Sequence, residues 1–228
     1  VSEQAKVFYS ILKPYMEKCN SFKLQIFGRL IQVFGYSSVN DYVTTARLCE
    51  DAVQFFDKKD YDSGFPLQVF YYNLITCYLQ LREFEKGRNI IERCQNLVET
   101  GSFNWFKLQE LFFLLAMHTS HYEAAAQVLS QVMDDPRFEN QSFQITEMWK
   151  IYQAYIHFLI KVSKLGSSDL SLQRTTKFKL GKFLNETPVF SKDKRGMNIP
   201  ILVIQILFAL VERDYQQCID RMDGIEKY

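Results

Sequence analysis

Tyr71, Leu74, Tyr78 and Leu81 recur at spacings of three and four, which gathers them on one face of a helix. After Glu83 a second series begins: Phe84, Gly87, Ile91, Cys94 and Leu97 (or Val98). The two series lie too close together in sequence to be anything but an antiparallel pair. Gly87 is poor for helix propensity, and a small residue there suits a helix that must be approached closely. The next segment repeats the layout: Tyr122, Ala125 and Leu129 stand where Phe84, Gly87 and Ile91 stood. A partial copy follows near the end of the chain, with Tyr215, Cys218, Met222 and Ile225. No strand-like alternation competes with these assignments, so the chain reads as all-α.

The layout resembles a tetratricopeptide repeat. Tyr71, Leu74 and Tyr78 match the first helix of that motif, Phe84 its turn aromatic, and Gly87 and Cys94 its small positions. A second copy runs from about Phe103 to Pro136, with Phe112 and Ala116 where Leu and Tyr are usual. Ile75 likewise stands where the motif has a small residue. The resemblance covers about half the chain, and its copies are spaced by roughly 38 residues rather than 34. It implies a right-handed α-solenoid of about five antiparallel hairpins plus an N-terminal helix, as one domain over residues 1–228. Because the chain starts at Val1, we expect it to be a piece of a longer protein.

Helix limits follow from punctuation. Residues 3–18 form a first helix containing Pro14, and 22–34 a second that stops near Gly35. Ser38 or Asn40 caps a third, which runs to Lys59. Residues 60–66 read as a loop, and Pro66 suits the start of the next helix. Asn104 caps the helix after the Gly101-Ser102 turn, 142–165 is a long helix ended by Gly166, and 169–185 is another. The apolar run from Ile199 to Val211 is interrupted by Pro200 and Gln205 and is too short to span a bilayer. It reads as a buried helix.

Residue patterns that carry chemistry are sparse in this sequence. His118 and His121 are three apart, but a turn between helices separates them, and no third metal ligand is suggested. His157, in an apolar stretch, reads as a core-edge histidine rather than a base. Phosphate-loop, nucleophile-elbow and zinc-protease motifs are absent from the sequence. We therefore expect no enzyme and no cofactor. The net charge of +1 gives no general reason for nucleic-acid or membrane binding. One basic run, from Arg174 to Arg195, interleaves lysines with Phe178, Phe183 and Phe190. It reads as a solvated lysine face, with an anion-binding surface as the competing reading. The five cysteines form no Cys-x-x-Cys pair, and Cys77, Cys94 and Cys218 fall on apolar faces. They read as reduced core residues of a cytoplasmic protein.

In the family resembled, first helices line a concave groove that holds a peptide. The corresponding outward positions here are Tyr72, Asn73, Thr76 and Gln80, then Lys107, Glu110, Leu114 and His118, then Glu147 and Lys150. Asn73 matches a position whose amide can hold a peptide backbone. The basic clamp that some members use for a C-terminal carboxylate is not reproduced. The expected function is a protein- or peptide-binding scaffold. The alternative is a ligand- or peptide-sensing domain that controls a DNA-binding or signalling segment elsewhere. Oligomeric state is left open by the sequence.

Overall fold

The computed structural model describes residues 1–19, 21–59, 63–166, 181, 183 and 198–226. The described residues are all-helical, without strands, and contain ten α-helices. They are α1 (Ser2–Lys18), α2 (Phe22–Ser37), α3 (Tyr42–Asp57), α4 (Gly64–Leu81), α5 (Phe84–Gln95), α6 (Phe103–His118), α7 (Tyr122–Asp134), α8 (Phe143–Lys161), α9 (Asn198–Glu212) and α10 (Tyr215–Ile225). A short 3-10 turn, Phe138–Asn140, precedes α8. None of the described helices is long and apolar enough to cross a membrane. The expected helix over 169–185 and the basic run from Arg174 to Arg195 lie outside the described residues, apart from Gly181 and Phe183.

One backbone device recurs where these helices end. Asn40, Arg82, Ser120 and Arg213 each adopt a left-handed conformation, with φ between 58° and 60°. The N–H of each following residue donates five residues back: Asp41 to Tyr36, Glu83 to Tyr78, His121 to Ala116 and Asp214 to Ala209, at 2.9–3.2 Å. The left-handed residue itself donates three back, to Ser37, Leu79, Met117 and Leu210. These paired bonds satisfy carbonyls that a helix end leaves open. The residue after the left-handed one is then the N-cap of the next helix, and an aromatic follows it: Tyr42, Phe84, Tyr122 or Tyr215. Asp41 and Asp214 complete the cap by accepting from the N–H groups of Thr44 and Gln217 at 3.0 and 3.1 Å. Ser163, after α8, closes that helix by the same pair of bonds, to Ile160 and from Lys164 to Leu159.

The helices after these turns share a packing pattern as well. Counting from the aromatic, positions three, seven and ten residues on are Thr45, Cys49 and Ala52 in α3, Gly87, Ile91 and Cys94 in α5, and Ala125, Leu129 and Val132 in α7. All nine are buried. In α10 only Cys218 is; Met222 is 56 % exposed. The α3 copy is a repeat that the aromatic motif alone did not disclose.

Packing divides the chain into two compact units, Val1–Leu115 and Ala116–Tyr228, with the division inside α6. In the first, α1 packs on α2, α2 on α3, α3 on α4 and α4 on α5. Its core runs from Ile26 and Val33 through Phe56, Phe70 and Leu74 to Ile91 and Cys94, and α6 adds Leu108, Leu111 and Leu115. Phe56 and Phe70 stack at 5.8 Å between ring centroids, and Phe55 meets Phe56 edge-on at 5.1 Å. In the second unit α7 packs on α8, α8 on α9 and α9 on α10. Ile151, Ala154, Phe183, Ile201, Ile204 and Phe208 form a core there. Tyr155 donates to the Pro200 carbonyl at 3.2 Å, which fixes α8 against the start of α9.

Several sequence expectations are corrected. Gly35 does not stop α2, which continues to Ser37. Instead Gly35 and Gly28, seven apart on one face, receive α1. A Cβ at Gly35 would lie 3.0 Å from the Ala5 Cβ, and one at Gly28 would strike the Met16 side chain. Asp41 is the cap of α3, not Ser38 or Asn40, because Asn40 takes the left-handed position. Helix α4 begins at Gly64, before Pro66, since the first helical N–H groups need no intrahelical acceptor. Ser102, rather than Asn104, caps α6 by accepting from the Trp105 N–H at 3.1 Å.

Two outcomes are expected. Left-handed backbone costs a non-glycine residue about 1–2 kcal/mol, so Arg82→Gly should raise unfolding stability by roughly 1 kcal/mol after glycine's own entropic cost. Urea unfolding measures it, and a loss of stability would contradict the turn geometry. Gly35→Val should separate α1 from α2 at an overpacking cost of about 1–3 kcal/mol. Hydrogen exchange would then quicken in α1 while α4 and α5 stay protected.

Candidate functional site

The expected binding residues of the first unit lie on α4 and α6. Helix α4 is apolar nearly all round because it is buried along Leu67, Phe70, Tyr71, Leu74, Ile75 and Tyr78. Its polar strip is therefore narrow, comprising Tyr72, Asn73, Thr76 and Gln80. Thr76 and Gln80 are exposed, and Tyr72 and Asn73 are half-buried. Tyr72 donates its phenol hydrogen to the Asn104 carbonyl of α6 at 3.0 Å. The Asn104 amide donates to Gln68 Oε1 at 3.0 Å, and Gln68 donates onward to the Leu97 carbonyl. This chain of bonds draws α4 and α6 together along one edge. Asn104 is thus a tie between helices, a role that only tertiary contact reveals.

On the same strip Asn73 donates to the Val69 carbonyl at 2.8 Å, and Thr76 donates to the Tyr72 carbonyl at 2.8 Å. These are bonds within α4. They leave Asn73 a carbonyl oxygen and a second N–H for a ligand. On α6, Lys107 is paired with Glu110 at 3.0 Å, one turn on, with the lysine about half exposed. The strip thus offers amide and hydroxyl groups beside a solvated ion pair.

The remaining expected residues, apart from Leu114, lie in the second unit. His118 ends α6 and is exposed, and His121 Nδ1 sits 2.8 Å from Thr119 Oγ1. The left-handed Ser120 separates the two histidines, so they lack the helical register a metal pair would need. Leu114, in the first unit, is half-buried. Glu147 departs from the outward position its spacing predicts: it is buried, 8 % exposed. Lys150 is exposed and reaches back to it at 2.6 Å. Only Lys150 of that pair is presented to solvent.

No protein-family model, curated protein or solved structure matches the chain. The site must be read from its own chemistry.

That chemistry is quiet. Burial, then the neighbouring Cys94 thiol, pushes the Tyr72 phenol above its ordinary value. Burial likewise pushes the Cys94 and Cys77 thiols up to about 11, and raises Cys49, with Cys77 and Glu50 adding to the effect. These groups stay neutral at pH 7 and serve as packing. Tyr78 donates to Glu50 and is also raised, first by burial. His157 is held below its usual value by burial and then by Lys161, so it is neutral beside the Phe208 ring, 6.4 Å away between centroids. Among the described residues no group of three His, Cys, Asp or Glu could hold a metal ion.

The cysteines give a direct check. Cys19 is exposed, whereas Cys49, Cys77, Cys94 and Cys218 are buried and unpaired. A thiol reagent at pH 8 should label Cys19 rapidly and the other four only on unfolding. Rapid native labelling of Cys77 or Cys94 would show that the first unit opens more readily than its packing implies.

Proposed function

We propose that this chain is a non-enzymatic scaffold that binds a protein or peptide on the exposed face of its first helices. In this reading the hairpins stack as a right-handed solenoid of the tetratricopeptide kind, and those faces line a concave groove. The observation that carries it is the recurrence of one turn and one packing pattern in α3, α5 and α7, with the turn again before α10. In the first unit α1 packs on α2, α2 on α3, α3 on α4 and α4 on α5, an order compatible with stacked hairpins. The α4 strip supports a peptide-binding role, because Asn73 retains donor and acceptor capacity suited to an extended backbone. Lys107 in the first unit and Lys150 in the second, each paired within its own helix, are exposed cations that would favour an acidic partner. Four unpaired buried thiols support a cytoplasmic setting, where thiols stay reduced.

The test is selection of short displayed peptides against the wild-type protein, followed by affinity measurement on Lys107→Glu and Lys150→Glu. Both lysines are surface residues, so unchanged circular dichroism is expected. Loss of a surface charge contact should weaken a selected peptide by about fivefold or more, near 1 kcal/mol. Peptides that bind both variants as tightly as the parent would move the site away from these helices.

A further inference from the structure

We infer that the open face of the α1–α2 hairpin binds a second copy of this chain, forming a two-fold symmetric dimer. Ala5 and Met16 of α1 meet Gly35 and Gly28 of α2, which makes the two helices antiparallel. Phe8, Ile11 and Tyr15 recur at spacings of three and four on α1, roughly a quarter-turn to one side of the residues that meet α2. On α2, Phe27, Ile31 and Phe34 stand roughly a quarter-turn from the two glycines, in the same rotational sense. Equal offsets in one sense on antiparallel helices bring both rows to the same side of the hairpin. Phe8, Ile11, Tyr15, Phe27 and Phe34 are each more than half exposed, from 53 % to 63 %. Ile31 is half-buried.

Four aromatic rings and an isoleucine at this exposure leave on the order of 500 Å² of apolar surface open. Single exposed hydrophobics are ordinary, but a patch of this size marks an interaction site. A stable dimer buries about 800 Å² per partner, about two-thirds of it apolar. The patch therefore meets the apolar requirement of one such interface. The opposite side of the hairpin differs in character: a small cleft of about 90 Å³ there is lined by Lys6, Tyr9, Gln32 and Tyr36, with Ala5 and Gly35. The core takes Ile26 and Val33 of α2 and neither row of exposed rings.

The residue order within each row points to a second copy as the occupant. Both helices offer an aromatic, an isoleucine and an aromatic: Phe8, Ile11 and Tyr15 on α1, Phe27, Ile31 and Phe34 on α2. Such a row reads alike in both directions. A two-fold axis near Ile11 sets Phe8 against Tyr15 of the other copy and Ile11 against its own counterpart, the self-complementarity that an isologous interface requires. Glu3, Lys6, Lys13 and Glu17 of α1 lie off the row, so the pairing brings no like charges together. An anionic lipid surface would instead call for cations along the edges of the row. The nearest lysines, Lys18 and Lys23, are confined to the end of the hairpin where α1 gives way to α2. This face uses different helices from the proposed peptide face, so either can fail without the other.

Sedimentation equilibrium of the whole chain, from low micromolar concentration upward, tests the assignment. A monomer–dimer equilibrium with a dissociation constant on the order of micromolar is expected. Ile11→Asp, which sets two carboxylates at the axis, and Phe27→Ser should each weaken it about tenfold or more. Both are surface changes, so circular dichroism should stay the same. Lys107→Glu, on the peptide face, should leave the dimer intact. The symmetry is read by mild oxidation: in a Cys19→Ser background, Ile11→Cys should form a disulfide between copies. Cys19 of the wild type should not, because antiparallel pairing sets its two copies at opposite ends. A chain that stays monomeric, including one that instead binds phosphatidylserine vesicles, overturns the proposal. So does a dimer that Ile11→Asp leaves intact, or one that crosslinks through Cys19 and not through Ile11→Cys.

Discussion

The structure depends on a short connection that ends one helix and begins the next with the same residue. At Asp41, Glu83, His121 and Asp214 a backbone N–H reaches five residues back, while the same residue caps the following helix. So little chain separates the helices that side-chain register is fixed at the turn. That is why the small residues Thr45, Gly87 and Ala125 recur three positions after the aromatic: their location is set before any long-range contact forms. In α5, Gly87 uses that location to admit Leu115 at 3.3 Å from where a Cβ would stand, with Tyr78 behind it at 3.7 Å. A larger residue there would have to push into buried side chains.

Most of the helices were legible because their apolar residues recur with the helical period. The limits that failed were those where one residue type serves two purposes. Glycine signals a stop, but Gly35 is placed for the approach of α1, a pairing that only three dimensions disclose. Asparagine signals a cap, but Asn40 takes the left-handed backbone position and Asn104 bridges α4 and α6. Proline signals a boundary, yet Pro66 tolerates a helix that began two residues earlier. The α3 repeat was hidden because its preceding helix lacks the aromatic pattern of α4, although Tyr42, Thr45, Cys49 and Ala52 carried the spacing.

The candidate site was legible in part. Surface positions on α4 and α6 could be counted from the buried ones, and Thr76, Gln80 and Lys107 are exposed as counted. Counting failed at Glu147, since α8 is covered on more sides than a two-faced helix and buries Glu147, Trp149, Ile151, Tyr152, Gln153 and Ala154.

Helix α1 has no buried residue of its own and is seated through Ala5 and Met16 on two glycines of α2. Such a helix adds contact area but little interlocking, so its detachment takes less free energy than opening the Phe56–Phe70 core. Unfolding of the first unit then proceeds inward from that edge, and a probe placed in α1 reports a different midpoint from one in α4. A single transition temperature would average two processes, and stability measured from the outer hairpin would understate the persistence of the surface that α4 and α6 present.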